Sequence, residues 1–247
     1  MKSFLLCLLI GCSLHAAAQI KYERTALITG AFFDPYSHTS DSMVFPRNRN
    51  KLSFGDEVNI DLQSFFSLRN ERLRLSAGVG FSQRHFSMSK FNAGDFILLF
   101  IPFATYKDTA YLTKVRSSSQ YINVPLGFEY RLSNSDNRTV TLFAGLRLIN
   151  SFKIAATTVA TPDTNYFRPN STQLSAINNS YNNDINSYLL RIEPYLDMDI
   201  HFAKGYGMRL GLFPISFYVT PWSKKITQTA TAIGVNFSLY KKIMAKK

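Results

Sequence analysis

The chain has 247 residues and carries 28 lysines and arginines against 16 aspartates and glutamates, a net charge of +12. The length suits a single domain, and no stretch beyond the N-terminal segment holds eighteen consecutive apolar residues, which excludes a membrane-spanning helix. A basic excess of this size favours anionic partners, either nucleic acid or lipid head groups.

The first eighteen residues have the pattern of a secretory signal peptide. One early cation is followed by an apolar run from Phe4 to Leu14 and by small residues at 16–18. The pattern predicts a mature chain that begins at Gln19 and forms one domain over 19–247. Leu9–Cys12 also matches a bacterial lipobox, which would leave a lipidated Cys12. Both cysteines lie in this segment, so signal-peptide cleavage predicts a mature chain without disulfides.

The rest of the chain alternates apolar and polar residues in one segment after another. In "YINVPLGFEYRL", Tyr121–Leu132, every second residue from Ile122 is apolar or aromatic. Alternate residues of a strand point to opposite faces of its sheet, so each such segment predicts a strand with one apolar face. Eight strands are predicted, near 24–33, 55–68, 72–87, 119–132, 139–156, 186–203, 208–220 and 230–241.

The links between these strands alternate between short and long. The short links lie near Asn70, 133–137 and 204–207, and the long links cover about 34–54, 88–118, 157–185 and 221–229. A transmembrane barrel keeps short periplasmic turns at one end and long outer loops at the other. The sequence therefore predicts an all-β fold, an eight-stranded antiparallel up-and-down transmembrane β-barrel. Pairing of the apolar run Phe96–Phe103 with Tyr111–Arg116 would give ten strands. The third long link, rich in Asn, Ser and Thr, is expected to be flexible and exposed.

The aromatic residues indicate which face meets lipid. A soluble barrel would turn the apolar face inward, as in a carrier of fatty ligands. The aromatic residues of the apolar face instead form two groups, as expected at the two surfaces of a bilayer. One group lies toward the short links and comprises Phe66, Phe128, Tyr130, Phe202 and Phe237. The other lies toward the long links and comprises Phe81, Phe152, Tyr188 and Trp222. The apolar face is therefore predicted to point outward.

This orientation places acidic and basic side chains together in the lumen. Asp61, Arg147, Arg191 and Glu193 are predicted near mid-height, and Arg74, Glu129, Arg131, Asp197, Asp199 and Arg209 in the periplasmic half. Because an eight-stranded barrel is just wide enough for its side chains, and an unpaired buried charge is costly, we predict an ion-pair network that closes the lumen. A narrow path for ions or small solutes and a catalytic carboxylate pair remain alternatives.

An enzymatic reading rests on His85-Phe86-Ser87 at the outer end of the third strand. This triplet resembles the histidine and serine of lipid A deacylase barrels, in which histidine activates serine against an acyl ester. The acid that would orient His85 has no clear candidate, and Asp56 is the nearest. The sequence contains no metal-ligand cluster, glycine-rich phosphate loop or nucleophile elbow. We therefore predict a non-enzymatic protein without a cofactor.

The export signal ending in Ala-Gln, the eight-strand plan and "YINVPLGFEYRL" resemble the PorT-like outer-membrane β-barrel proteins of the Bacteroidetes. The resemblance implies an outer-membrane location in a Gram-negative bacterium and implies little about activity. For such a location the expected partners are outer-membrane lipid and lipopolysaccharide, with other envelope proteins contacting the outer loops. Nucleic acid is not expected, because an exported chain seldom meets it.

Overall fold

The computed structural model describes residues 20–34, 38–39, 51–68, 72–90, 112–133, 139–162, 164, 168–202, 205–213, 216–223, 226–227 and 233–242. The strands are β1 (Lys21–Asp34), β2 (His38–Thr39), β3 (Lys51–Ser67), β4 (Leu73–Lys90), β5 (Leu112–Arg131), β6 (Val140–Pro162), β7 (Tyr188–His201), β8 (Tyr206–Phe213), β9 (Phe217–Tyr218), β10 (Ile226–Thr227) and β11 (Ile233–Lys242). One helix, α1 (Ser171–Asp184), lies between β6 and β7. Among the described residues no helix has the length and apolarity needed to cross a membrane.

Eight of the strands form a closed antiparallel ring. Its order is β1, β3, β4, β5, β6, β7, β8 and β11, and β11 pairs back onto β1. The links of this ring alternate: β3–β4, β5–β6 and β7–β8 are joined by short connections at one end, here the short-turn end. The opposite end, the long-loop end, carries the long connections. The predicted eight-stranded up-and-down barrel is therefore confirmed.

The stagger of the ring fixes its dimensions. One row of paired residues runs around the barrel through Phe152, Ile122, Phe81, Ile60, Thr29, Phe237, Leu210, Met198 and Leu142. The row returns to β6 ten residues closer to the short-turn end, at Leu142 instead of Phe152. At about 3.3 Å per residue and about 4.8 Å between strands, this stagger tilts the strands by about 40° and gives a backbone diameter of about 16 Å. Side chains fill an interior of that width.

On seven of the eight ring strands the apolar face points outward; on β1, Leu27 and Phe33 are exposed, but Ala26, Ile28 and Phe32 are buried on the inner face. In β3, Val58, Ile60 and Leu62 are 49–53% exposed, whereas Glu57, Asn59, Asp61 and Gln63 between and beside them are at most 5% exposed. On β5 the outward residues are apolar from Ile122 to Leu132, a distance of about 33 Å along the strand. At the tilt derived above, this apolar band is about 25 Å tall, the height of the band on transmembrane barrels.

Aromatic side chains lie at both edges of the band. Near the short-turn end Phe128, Tyr130 and Phe202 are exposed, and Tyr22 packs edge-on against Phe66. Phe237, predicted for this edge, is exposed but lies midway along β11. Near the long-loop end Phe81 and Phe152 are exposed, and the Phe152 ring lies 5.4 Å from that of Tyr188. The prediction for Trp222 is wrong, because this residue is fully buried inside the barrel wall.

Above the band at the long-loop end, β3–β6 continue as a taller part of the wall, and a small apolar core covers its inner face. The core joins β4–β6 to α1, to the start of β7 and to the segment around Trp222. Helix α1 begins with a capping box at Asn170 and Gln173 and buries Tyr181. The Asn178 side chain accepts the Ala160 N–H at 2.9 Å. The third link is therefore not the flexible segment expected from its composition: its first residues extend β6 and its centre is a packed helix.

Two predicted strands differ from the structure in an informative way. The seventh was predicted to run to residue 220, but β8 ends at Phe213, and the chain pairs again as β9 against Arg191 and Ile192 of β7. Pro125, which has no N–H to donate to a ladder, keeps its register with β6, and only the ladder to β4 is interrupted beside it. The Asn150 amide donates to the Val124 carbonyl beside it at 3.4 Å. The apolar run 96–103 of the ten-strand alternative lies outside the described residues, while Leu112–Arg116 belong to β5 of the closed ring.

Candidate functional site

The lumen holds a charge-balanced set of buried side chains. Among the described residues, six arginines and six acids are buried, each at most 5% exposed. The arginines are Arg24, Arg74, Arg84, Arg147, Arg191 and Arg209, and the acids are Glu57, Asp61, Glu129, Glu193, Asp197 and Asp199. Because these twelve charges cancel, the net charge of +12 belongs to the rest of the chain.

Half of the set forms a lower cluster near the short-turn end. Its centre is Glu129, which accepts hydrogen bonds from Arg209 at 2.5 Å, Arg74 at 3.3 Å and the Tyr195 hydroxyl at 3.0 Å. Arg209 also pairs with Asp197. Asp199 pairs with Arg24 at 2.6 Å and with Arg74 at 3.3 Å. Each carboxylate in this cluster therefore contacts at least one guanidinium. The pairs Arg24–Asp199 and Arg209–Glu129 cross the lumen between strands that are not neighbours in the ring, whereas Arg74–Glu129 and Arg209–Asp197 join neighbouring strands.

The other half forms an upper cluster toward the long-loop end. Arg191 binds Glu57 through two nitrogens, at 2.5 and 3.1 Å, and its Nε lies 2.5 Å from Glu193. Arg147 lies 4.0 Å from the other Glu193 oxygen. Asp61 accepts a hydrogen bond from the Asn59 amide at 2.7 Å. Arg84 stands directly opposite Glu57 in the β3–β4 ladder.

Every one of the six arginines also lies over an aromatic ring. The guanidinium of Arg24 is 3.7 Å from the Tyr240 ring centre, that of Arg74 is 4.1 Å from Phe143, and that of Arg209 is 4.8 Å from Phe65. In the upper cluster Arg147 lies between Tyr195 and Phe213, Arg191 lies over Phe32, and Arg84 lies over Tyr218. A planar, weakly hydrated guanidinium can pair with carboxylates at its edge and stack by its face, which a lysine ammonium cannot do. Phe32, Tyr195 and Phe213 pack together as an aromatic group in contact with arginines of both clusters.

The residues predicted for the lumen are distributed as follows. Asp61, Arg147, Arg191 and Glu193 lie in the upper cluster, and Arg74, Glu129, Asp197, Asp199 and Arg209 lie in the lower cluster. Arg131 is only half-buried, at the end of β5. The sequence reading missed Arg24, Glu57 and Arg84, although each shares the inward phase of its strand. Their inward phase within the strand is the signal that would have identified these three residues.

A second polar group lies on the outer wall at the upper edge of the apolar band. His85 Nδ1 is 3.2 Å from the Asp56 carboxylate, and its Nε2 is 3.0 Å from the Gln83 amide. Gln83 also donates to the Ser118 hydroxyl at 3.4 Å. The structure thus gives His85 the acid that the sequence did not assign, but the contact of its other nitrogen is an amide and not Ser87. Within the described chain, no three His, Cys, Asp or Glu side chains are grouped to hold a metal ion.

Fold and site together define a transmembrane β-barrel with a filled, charge-balanced lumen. No protein-family description and no curated protein matches the sequence. Among solved structures, the chain is similar to the translocator domain of the autotransporter NalP from Neisseria meningitidis, with 7% identity over 98% of this chain and 97% of that one and a TM-score of 0.31. It is also similar to the transport unit of AIDA-I from Escherichia coli, with 6% identity over 91% of each chain and a TM-score of 0.27. Similarities this distant carry no argument about function.

Proposed function

We propose that this chain is a non-enzymatic outer-membrane β-barrel with a closed lumen, which anchors a folded long-loop end at the membrane surface for contacts with other envelope components. The observation that carries the proposal is the set of ion pairs that joins ten of the twelve buried lumen charges inside a ring about as wide as the side chains that fill it. The apolar band with its two aromatic edges supports insertion in a bilayer. The export signal expected at 1–18 supports the outer membrane as the destination.

Closure is tested by recording purified protein in planar lipid bilayers. The wild type is expected to give no discrete conductance, because a solute would have to displace paired buried charges. The double variant Arg191→Ala, Glu193→Ala removes a pair from the upper cluster without changing the net charge and is expected to raise leakage. Regular conductance steps from the wild type would contradict a closed lumen and support the narrow-channel alternative.

Location is tested by separating inner and outer membranes on a density gradient after expression in a Gram-negative host. The protein is expected in the outer-membrane fraction and to resist extraction by alkaline carbonate. Recovery in the soluble fraction would contradict the proposal.

An esterase is the second candidate function, and the contact between Asp56 and His85 favours it. A carboxylate on Nδ1 orients a histidine so that Nε2 can take a proton from a serine hydroxyl. Ser87 shares the outward face with His85 at the edge of the apolar band, where the acyl ester of a lipid would lie. Against this function, Nε2 contacts the Gln83 amide, which has to move before Ser87 can be activated.

Mass spectrometry of lipid A from cells expressing each variant separates the two functions. The esterase predicts that wild-type protein removes an acyl chain, that Ser87→Ala abolishes the loss, and that Ser118→Ala, on the neighbouring strand, leaves it intact. The non-enzymatic proposal predicts the same lipid A from all three. A loss of acyl chains from lipid A that requires Ser87 would overturn the non-enzymatic proposal.

A further inference from the structure

The outer wall above the apolar band carries a polar surface on β4 and β5, the upper outer patch. Successive outward pairs of this patch are Gln83 with Gln120, His85 with Ser118, and Ser87 with Arg116, and Lys114 follows on the same face of β5. Directly below them the outward pair is Phe81 with Ile122, the upper edge of the apolar band. Along β4 and β5, the outer surface of the barrel therefore changes from apolar residues to polar and charged residues toward the long-loop end.

The two cations of the patch have no partner within the described residues. Arg116 is exposed and Lys114 is half-exposed, and neither makes an ion pair, hydrogen bond or ring contact with another described side chain. Asp56, an outward-facing acid on the neighbouring strand β3, already contacts the His85 ring at 3.2 Å. At the short-turn end, by contrast, Arg72 donates to the Tyr130 hydroxyl at 3.4 Å and Lys241 lies 5.5 Å from the Tyr206 ring.

We propose that the upper outer patch binds the phosphate-bearing head group of a membrane lipid, with the lipid's acyl chains lying on Phe81, Ile122 and the apolar residues below. This inference rests on the proposed membrane insertion and deepens it by naming the lipid class and the residues. A phosphate matches the forked donors of Arg116, and Lys114 adds a second positive charge. Long basic side chains bend back toward the band while their charged ends remain in the head-group layer. Ser118 and Gln120, on the same face of β5, supply neutral hydrogen-bonding groups between the two cations and the apolar band.

Charge complementarity selects this occupant over a neutral lipid. Each lysine or arginine at a membrane surface strengthens attraction to anionic lipid by about five-fold in affinity. Two such residues, neither of them paired with an acid among the described residues, should therefore favour a phosphorylated lipid over its dephosphorylated form by about thirty-fold.

The test uses the full-length barrel in detergent micelles and native mass spectrometry, with lipid A and chemically dephosphorylated lipid A as probes. The wild type is expected to retain lipid A and to release the dephosphorylated form. The variant Lys114→Gln, Arg116→Gln is expected to lose the preference. The matched control Lys21→Gln, Lys241→Gln removes the same charge at the short-turn end and is expected to keep it.

Equal binding of both lipids by the wild type would overturn the proposal, as would an equal loss of preference in the control variant. Flotation of the same preparation with lipid vesicles separates this result from a failure of insertion. If the protein floats with the vesicles but binds both lipids equally, the lipid site alone is refuted. If the protein does not float, the proposed membrane insertion is refuted as well.

Discussion

Single side chains determine whether the lumen remains closed, and Glu129 is one of those with three partners. It is fully buried and receives Arg74, Arg209 and the Tyr195 hydroxyl. Glu129→Ala leaves two buried guanidinium groups short of a partner and should lower the free energy of unfolding by about 3–5 kcal/mol. Urea unfolding in lipid vesicles, followed by the fluorescence of Trp222, the only tryptophan of the chain, measures the loss.

The rim of the same cluster provides the control for this prediction. Glu23 lies 2.9 Å from Arg74 but has a partly exposed side chain. Glu23→Ala should therefore cost less than about 1 kcal/mol, because solvent screens the pair and replaces it. Equal effects of the two substitutions would mean that burial does not set the strength of these contacts.

Glycine at one lumen position makes room for a charge. A methyl group at Gly80 would collide with the Asp61 carboxylate and the Ile60 carbonyl on the neighbouring strand. Gly80→Ala should cost about 1–3 kcal/mol through overpacking. A double-mutant cycle with Asp61→Ala, measured by the same urea unfolding, should recover part of that cost. If the unfolding free energies of the two substitutions simply add, the methyl group at residue 80 does not collide with the Asp61 side chain.

Strict alternation allowed the lumen-facing residues to be predicted, but not their partners. Asp197 and Arg209 lie on adjacent strands, whereas Glu57 and Arg191 lie on β3 and β7 and meet only across the lumen. Such a contact depends on the stagger and diameter of the closed ring, which no single strand encodes. Arg24 and Glu57 were missed for a related reason, since each lies where its strand is less regular in sequence.

At the scale of elements, the strands were predictable and the helix was not. Helix α1 is rich in Asn and Ser, which favour caps and turns over helix interiors. The sequence marks the start of the helix only by the spacing of Asn170 and Gln173, which form a capping box. The capping box alone does not stabilise the helix, which also depends on the burial of Tyr181 in the apolar core. The core comes from residues distant in sequence, above all Trp222, whose indole N–H donates to Ser119 at 3.0 Å.

The docking of α1 on β6 gives a prediction for one backbone amide. The Ala160 N–H donates to the Asn178 side chain. Asn178→Ala should accelerate hydrogen exchange at Ala160 by at least ten-fold, because the amide then meets water when the helix moves. Asn179→Ala, an exposed neighbour on the same helix, should leave that rate unchanged. Exchange at Ala160 can be followed by mass spectrometry of peptides from the folded barrel.

For the whole molecule, the apolar exterior and the balanced lumen require each other. If the two faces of the wall were exchanged, the apolar residues would fill the lumen and the arginines and acids would lie on the outer surface. There they would face lipid and would lose the partners that they now contact across the lumen. The closed ring holds the six buried arginines and six buried acids together, so the excess positive charge of the chain lies outside this buried set. The sequence could give this orientation because alternation and the two aromatic edges are visible strand by strand.

The depth of a charge placed on the exterior tests this orientation directly. Leu62 lies midway along the outward apolar residues of β3 and is 51% exposed, whereas Val140 begins β6 at the short-turn edge and is 36% exposed. In a bilayer, Leu62→Arg should lower the free energy of unfolding by about 2–4 kcal/mol and Val140→Arg by about 0–1 kcal/mol. Both are read from urea titrations of vesicle-folded protein. A water-exposed exterior would accept an arginine equally at either position, so a cost independent of depth is incompatible with a membrane-spanning barrel.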